Sequence, residues 1–164
     1  MNMFQAATPT GDRQQAYESA LVQLKGLIDG EPNAVANMAN ASALLNFTLQ
    51  DINWAGFYLY DGKELVLGPF QGLPACIRIP LGRGVCGTAA QQRETIVVED
   101  VHAFPGHIAC DAASNSEVVV PIVQDGRLIG VLDIDSPLKG RFDETDKAFL
   151  ESFVQILVDS VKFN

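Results

Sequence analysis

Cys76, Cys86 and Cys110 are the only cysteines in the chain. An odd number argues against a permanent disulfide framework and directs attention to thiol reactivity. Their spacing matches no zinc ribbon, zinc finger or CxxC pattern, so no metal is expected. Cys86 lies in Gly82-Arg83-Gly84-Val85-Cys86-Gly87, a glycine-rich turn that leads into a short helix. A helix N-terminus lowers a thiol pKa, which favours Cys86 as the more acidic thiol. The amides of the same turn, Gly84 and Val85 among them, suit a small anion such as a carboxylate. No Gly-Lys-Ser/Thr follows, so the turn is not a nucleotide P-loop. Cys110 stands in an irregular stretch with His107 close by, and either His102 or His107 can assist a thiolate from a loop.

The second group is acidic. In Val131-Leu132-Asp133-Ile134-Asp135, a strand puts Asp133 and Asp135 on one face and Leu132 and Ile134 on the other. Asp is depleted in strands, so two on one face is unusual. Glu117 begins the preceding strand, and a regular Asp125-Gly126 hairpin brings its base near Asp133 or Asp135. Three clustered carboxylates repel one another and call for a cation. The alternative is a solvated strand end. Trp54 and Tyr58 share a strand face with Gly56 between them, where the missing side chain leaves room. They read either as a pocket wall for apolar ligand atoms or as core.

These residues need a scaffold. Tyr17, Leu21, Leu24 and Ile28 recur at helical spacing and predict a helix over Arg13–Ile28. A second helix follows Asn33 and runs to about Leu49. Strands are predicted at 53–60, 64–70, 76–80, 95–98, 117–123 and 127–135, with a short helix from the glycine turn to Gln92. Residues 99–116 read as irregular, and loops of that length are often functional. Asp143 caps a closing helix lined by Phe149, Phe153 and Leu157. The result is an α+β fold: about six largely antiparallel strands, with helices from both chain ends packed on one face. Residues 1–11 read as a flexible N-terminal arm and 12–164 as a single domain.

The chain has 164 residues and a formal net charge of −9, with 48% hydrophobic residues. That composition excludes intrinsic disorder. The acidic balance argues against nucleic acid and anionic membrane surfaces. No secretory signal or membrane-spanning run is visible, so the cytoplasm is the expected compartment.

Several segments together resemble one family. They are Asp51-Ile52-Asn53-Trp54-Ala55-Gly56-Phe57-Tyr58, Leu67-Gly68-Pro69-Phe70-Gln71-Gly72, Gly82–Thr88, His107–Glu117 and Ile129–Ser136. Across roughly residues 13–160 the chain resembles the free methionine-(R)-sulfoxide reductases, which are stand-alone GAF-domain enzymes. The resemblance implies reduction of free L-methionine (R)-S-oxide by a thiolate. A cysteine sulfenic acid forms, then an intramolecular disulfide that thioredoxin reduces; no cofactor is implied beyond that external thiol. It implies Cys110 as nucleophile, Cys76 as resolving thiol and Cys86 as an alternative resolver. Glu117, Asp133 and Asp135 would take the substrate ammonium, and amides near Gly84 and Val85 its carboxylate. Trp54 and Tyr58 would enclose the S-methyl group. Asp133 is the expected proton donor, with Glu117 equally placed. The resemblance also implies a homodimer.

Overall fold

A computed structural model describes residues 12–107, 110 and 112–163; the expected arm, residues 1–11, lies outside them. Helices α1 (Arg13–Ile28) and α2 (Ala34–Thr48) come first, followed by strands β1 (Trp54–Tyr60), β2 (Glu64–Gly72) and β3 (Arg78–Pro80). Helix α3 (Gly84–Gln92), strand β4 (Ile96–Val98) and a 3-10 turn at Val101–Ala103 lead to strands β5 (Ser116–Gln124) and β6 (Arg127–Ser136) and helix α4 (Glu144–Ser160). The strands form one six-stranded sheet in the order β3-β2-β1-β6-β5-β4, and every neighbouring pair is antiparallel.

Local chemistry sets the helix ends. The Asp12 and Asn33 side chains accept hydrogen bonds from first-turn amides of α1 and α2. Asp143 and Asp146 form a capping box on α4. Alternation then sorts the sheet into two faces. Ala55, Phe57, Val118, Val120, Ile122, Leu132 and Ile134 point to the face covered by α1, α2 and α4, and form the main core with Leu24, Leu45, Phe153 and Leu157. Fully burying one such side chain contributes roughly 1.5–3 kcal/mol. Trp54, Tyr58, Val119 and Val131 point to the opposite face, where α3 packs with Val85, Cys86, Ala89 and Ala90.

Two features differ from the sequence reading. Residues 99–116 are not wholly irregular: Asp100 accepts from His102 N–H and starts the 3-10 turn, and Ser116 already belongs to β5. The third strand is shorter than expected and starts at Arg78; Cys76, two residues before it, lies outside the strand and is joined to Cys110. Among the described residues, no helix is long and apolar enough to cross a membrane.

Candidate active site

Strand register builds the acidic part of the site. Asp135 of β6 pairs with Trp54 of β1 on one side and Glu117 of β5 on the other. Asp133, one step along the same face, pairs with Gly56 and Val119. The hairpin that brings Glu117 here is not the regular one expected. Its ladder shifts between Ile122 and Val123, and this shift sets Glu117 opposite Asp135. Without it, Glu117 would face Ile134 and the main core, because a one-residue slip exchanges the two faces.

Helix α3 closes the site from above. Gly84 opens it with φ at +63°, a left-handed conformation that favours glycine. A Cβ on Gly87 would collide with the Pro80 carbonyl, so glycine there lets α3 lie close against β3. Arg83, the N-cap residue, supplies no side-chain cap. Gly84 N–H donates to Gly106 O and Gly87 N–H to Arg83 O. The helix itself leaves the Val85 and Cys86 amides without an intrahelical acceptor.

Cys76 and Cys110 are joined in a disulfide, with Cα atoms 5.4 Å apart. This is the pair implied by the resemblance. Tyr58 Oη donates to the Cys76 carbonyl at 2.9 Å, and Trp54 Nε1 donates to the Leu73 carbonyl at 3.2 Å. The Trp54 and Tyr58 rings stack with centroids 5.8 Å apart. Both are only 2% exposed, so they are core and pocket wall at once. The room expected at Gly56 is filled. A Cβ there would run into Phe70, whose ring stacks on Trp54 at 5.0 Å.

One cavity is lined by Trp54, Tyr58, Gly84, Val85, Cys86, Cys110, Glu117, Asp133 and Asp135. Nine of the ten residues expected at the site line this cavity; the tenth, Cys76, is not among its lining and is joined to it through the bond to Cys110. Arg83, His107 and Ser114 also line it. Arg83 and Ser114 were not singled out as site residues. A cation between two glycines at a helix start was the available signal for Arg83. Ser114 gave none: it is drawn in by Asn53 Nδ2, which donates to its Oγ at 3.1 Å.

The electrostatics are those of crowded, dry carboxyl groups. Glu117 and Asp133 are 7% and 5% exposed. Burial pushes both well above the ordinary carboxyl range; repulsion from Asp133 adds to the effect on Glu117, and repulsion from Asp135 to that on Asp133. The Cys86 thiol stands 3.8 Å from Glu117 Oε2. Burial, followed by Asp133 and Glu117, raises its pKa well above the usual thiol value. This overturns the expectation of an acidic Cys86: desolvation and neighbouring carboxylates outweigh the helix dipole. Tyr58 is likewise pushed up by burial and stays protonated. Burial lowers the pKa of His107, which favours its neutral form.

A GAF domain family model matches residues 39–160. Protein YtsP of Bacillus subtilis (strain 168) is 56% identical over 157 residues, covering 94% of this chain and 96% of its own. A free methionine-R-sulfoxide reductase of Escherichia coli (strain K12) is 53% identical over 143 residues, 87% of each chain. The X-ray structure of the free methionine-R-sulfoxide reductase of Neisseria meningitidis in complex with its substrate superposes with a TM-score of 0.92 at 46% identity, over 96% of this chain and 95% of that one. The chain therefore belongs to the GAF domain family, alongside the proteins named free methionine-R-sulfoxide reductase.

Proposed function

We propose that this protein reduces free L-methionine (R)-S-oxide to methionine by thiol chemistry. The observation that carries this reading is the lining of one cavity by the Glu117, Asp133 and Asp135 carboxyl groups together with Cys110, itself disulfide-bonded to Cys76. A free amino acid brings an α-ammonium to the three carboxyl groups. A methionine inside a polypeptide brings none and leaves them buried and uncompensated, which disfavours it. The α-carboxylate accepts from the Val85 and Cys86 amides at the start of α3, with Arg83 beside them. Trp54 and Tyr58 enclose the methyl end.

The reaction follows from these positions. The Cys110 thiolate attacks the sulfoxide sulfur, and the oxygen takes up a proton. One ammonium pairs with one carboxylate, so repulsion holds a proton on at least one of the remaining carboxyl groups. Asp133 is assigned as the donor, since burial and Asp135 raise its pKa. The hydroxyl so formed passes to Cys110 Sγ as the substrate's sulfur–oxygen bond and the transient sulfur–sulfur bond break; methionine leaves and Cys110 becomes a sulfenic acid, the sulfoxide reduced by two electrons and the cysteine oxidised by two. The Cys76 thiol displaces water from the sulfenic acid and forms the disulfide. The Cys76–Cys110 pairing supports Cys76 over Cys86 as resolver. A dithiol protein of the thioredoxin class returns both thiols by exchange. The cycle suits a reducing compartment such as the cytoplasm, and the homodimer implied by the resemblance belongs to the same reading.

The test is methionine release under thioredoxin or dithiothreitol from four substrates: the free (R) and (S) epimers and their N-acetyl derivatives. Only the free (R) epimer is expected to be consumed. Turnover of the (S) epimer alone, or equal turnover of the N-acetyl compound, would refute the reading.

A further inference from the structure

Cys86 takes no part in the disulfide, and it is the one free thiol once Cys76 and Cys110 are joined. Its Sγ, a Glu117 carboxylate oxygen and an Asp133 carboxylate oxygen lie within 4.8 Å of one another, all three residues buried. Asp133 is 95% buried by its 5% exposure, and its Oδ1 has no hydrogen-bond partner among the described residues. A buried carboxylate oxygen without a partner is costly and marks a place for a cation.

We propose that Cys86 Sγ, Glu117 and Asp133 form a site for a divalent cation of the zinc and cadmium class, and that its occupancy excludes an amino-acid ammonium from the same carboxyl groups. The donor set fits: one thiolate and two carboxylates suit a borderline-soft ion, whereas magnesium and calcium prefer oxygen alone. The dimensions fit as well. Tetrahedral zinc with bonds of about 2.3 Å to sulfur and about 2.1 Å to oxygen needs a sulfur–oxygen edge of about 3.6 Å. The Cys86 Sγ to Glu117 Oε2 distance is already 3.8 Å. Three protein ligands leave the fourth position open to the cavity, as in zinc sites that take an exchangeable ligand. The ligands come from α3, β5 and β6, so chain spacing carries no sign of them.

Metal binding stands apart from the proposed reduction; only the exclusion of the ammonium rests on that reading. The test uses the full-length, disulfide-bonded protein, which cannot turn over without reductant. Cadmium is titrated by calorimetry and by the cadmium–thiolate charge-transfer absorption, which Cys86 alone can supply in this state. One equivalent should bind with that absorption. Cys86→Ser should abolish the absorption, and Asp133→Asn should weaken binding at least about tenfold. Free methionine (R)-S-oxide should raise the apparent cadmium Kd in proportion to its concentration. Circular dichroism of each variant confirms the fold. Absence of the absorption in the unmodified protein would overturn the site, whatever the variants do. So would tight binding that persists in both variants. Cadmium binding indifferent to methionine sulfoxide would overturn the exclusion, while methionine release under reductant tests the reduction independently.

Discussion

Glu117→Gln should make the ligand-free protein more stable while impairing it as a binder. Carboxylate oxygens of Glu117 and Asp133 lie within 4.8 Å of one another in a buried setting. At an effective dielectric constant of about 20, two unit charges at that separation repel by about 3.5 kcal/mol. Protonation relieves part of this, so a gain of about 2 kcal/mol is expected at about pH 8, or roughly 4–8 °C in Tm for a domain of this size. The amide keeps an oxygen for the Cys86 thiol and offers a donor towards Asp133. The pH dependence has a definite sign. Both carboxyl groups titrate higher in the folded chain than in the unfolded one. Between those two values the folded chain holds more protons, so stability falls as pH rises through the window. Below about pH 4, the ordinary carboxyl value, the penalty is absent and the variant should gain little. Differential scanning calorimetry at several pH values, with and without free methionine sulfoxide, reads all of this. Ligand at about 100 times its Kd should stabilise the parent by about 2.7 kcal/mol and the variant far less. A variant no more stable than its parent at high pH, or equally stabilised by ligand, would refute the reasoning.

Three further changes test separate parts of the structure. Asp135 is half-buried beside Trp54 and Glu117, and Asp135→Asn should cost about 1–2 kcal/mol of ammonium pairing, a roughly 5–30-fold rise in KM; unchanged KM and kcat would place Asp135 outside the site. Gly56→Ala should press on Phe70, disturb its stack on Trp54 and destabilise by about 1–3 kcal/mol in a denaturant melt; an unchanged melt would deny that contact. Asp146 is fully buried, pairs with Arg141 at 3.1 Å and accepts from Tyr17, whose pKa is pushed up to about 12. Arg141→Met should therefore cost up to about 3 kcal/mol in a denaturant melt, Arg13 at 3.6 Å retaining part of the pairing with Asp146; an unchanged melt would deny that the Arg141–Asp146 pair supports the fold.

What the sequence disclosed was what local pattern controls. Arg13–Ile28 and Ala34–Thr48 carry their own caps, and Asp125-Gly126 marks its hairpin in two residues. Asp133 and Asp135 share a face by strand geometry alone, so the acidic cluster was readable before the fold was known. Glu117 joined it for a reason the sequence hid: the register shift at Ile122/Val123 depends on strand pairing, not on either residue type. Cys86 was misread as acidic because its place at a helix start is local, whereas the carboxyl groups that raise its pKa arrive from β5 and β6. Phe70 filling the space at Gly56 is a cross-strand contact of the same non-local kind.

The most direct measurement is a single turnover. Fully reduced protein is mixed with excess free methionine (R)-S-oxide and no reductant, quenched by alkylation and analysed by peptide mass spectrometry. One methionine per chain should form, with Cys76 and Cys110 linked and Cys86 alkylated after unfolding, and Cys110→Ser should form none. Methionine released while all three thiols remain reduced, or released by Cys110→Ser at the parent's rate, would contradict thiol attack from Cys110.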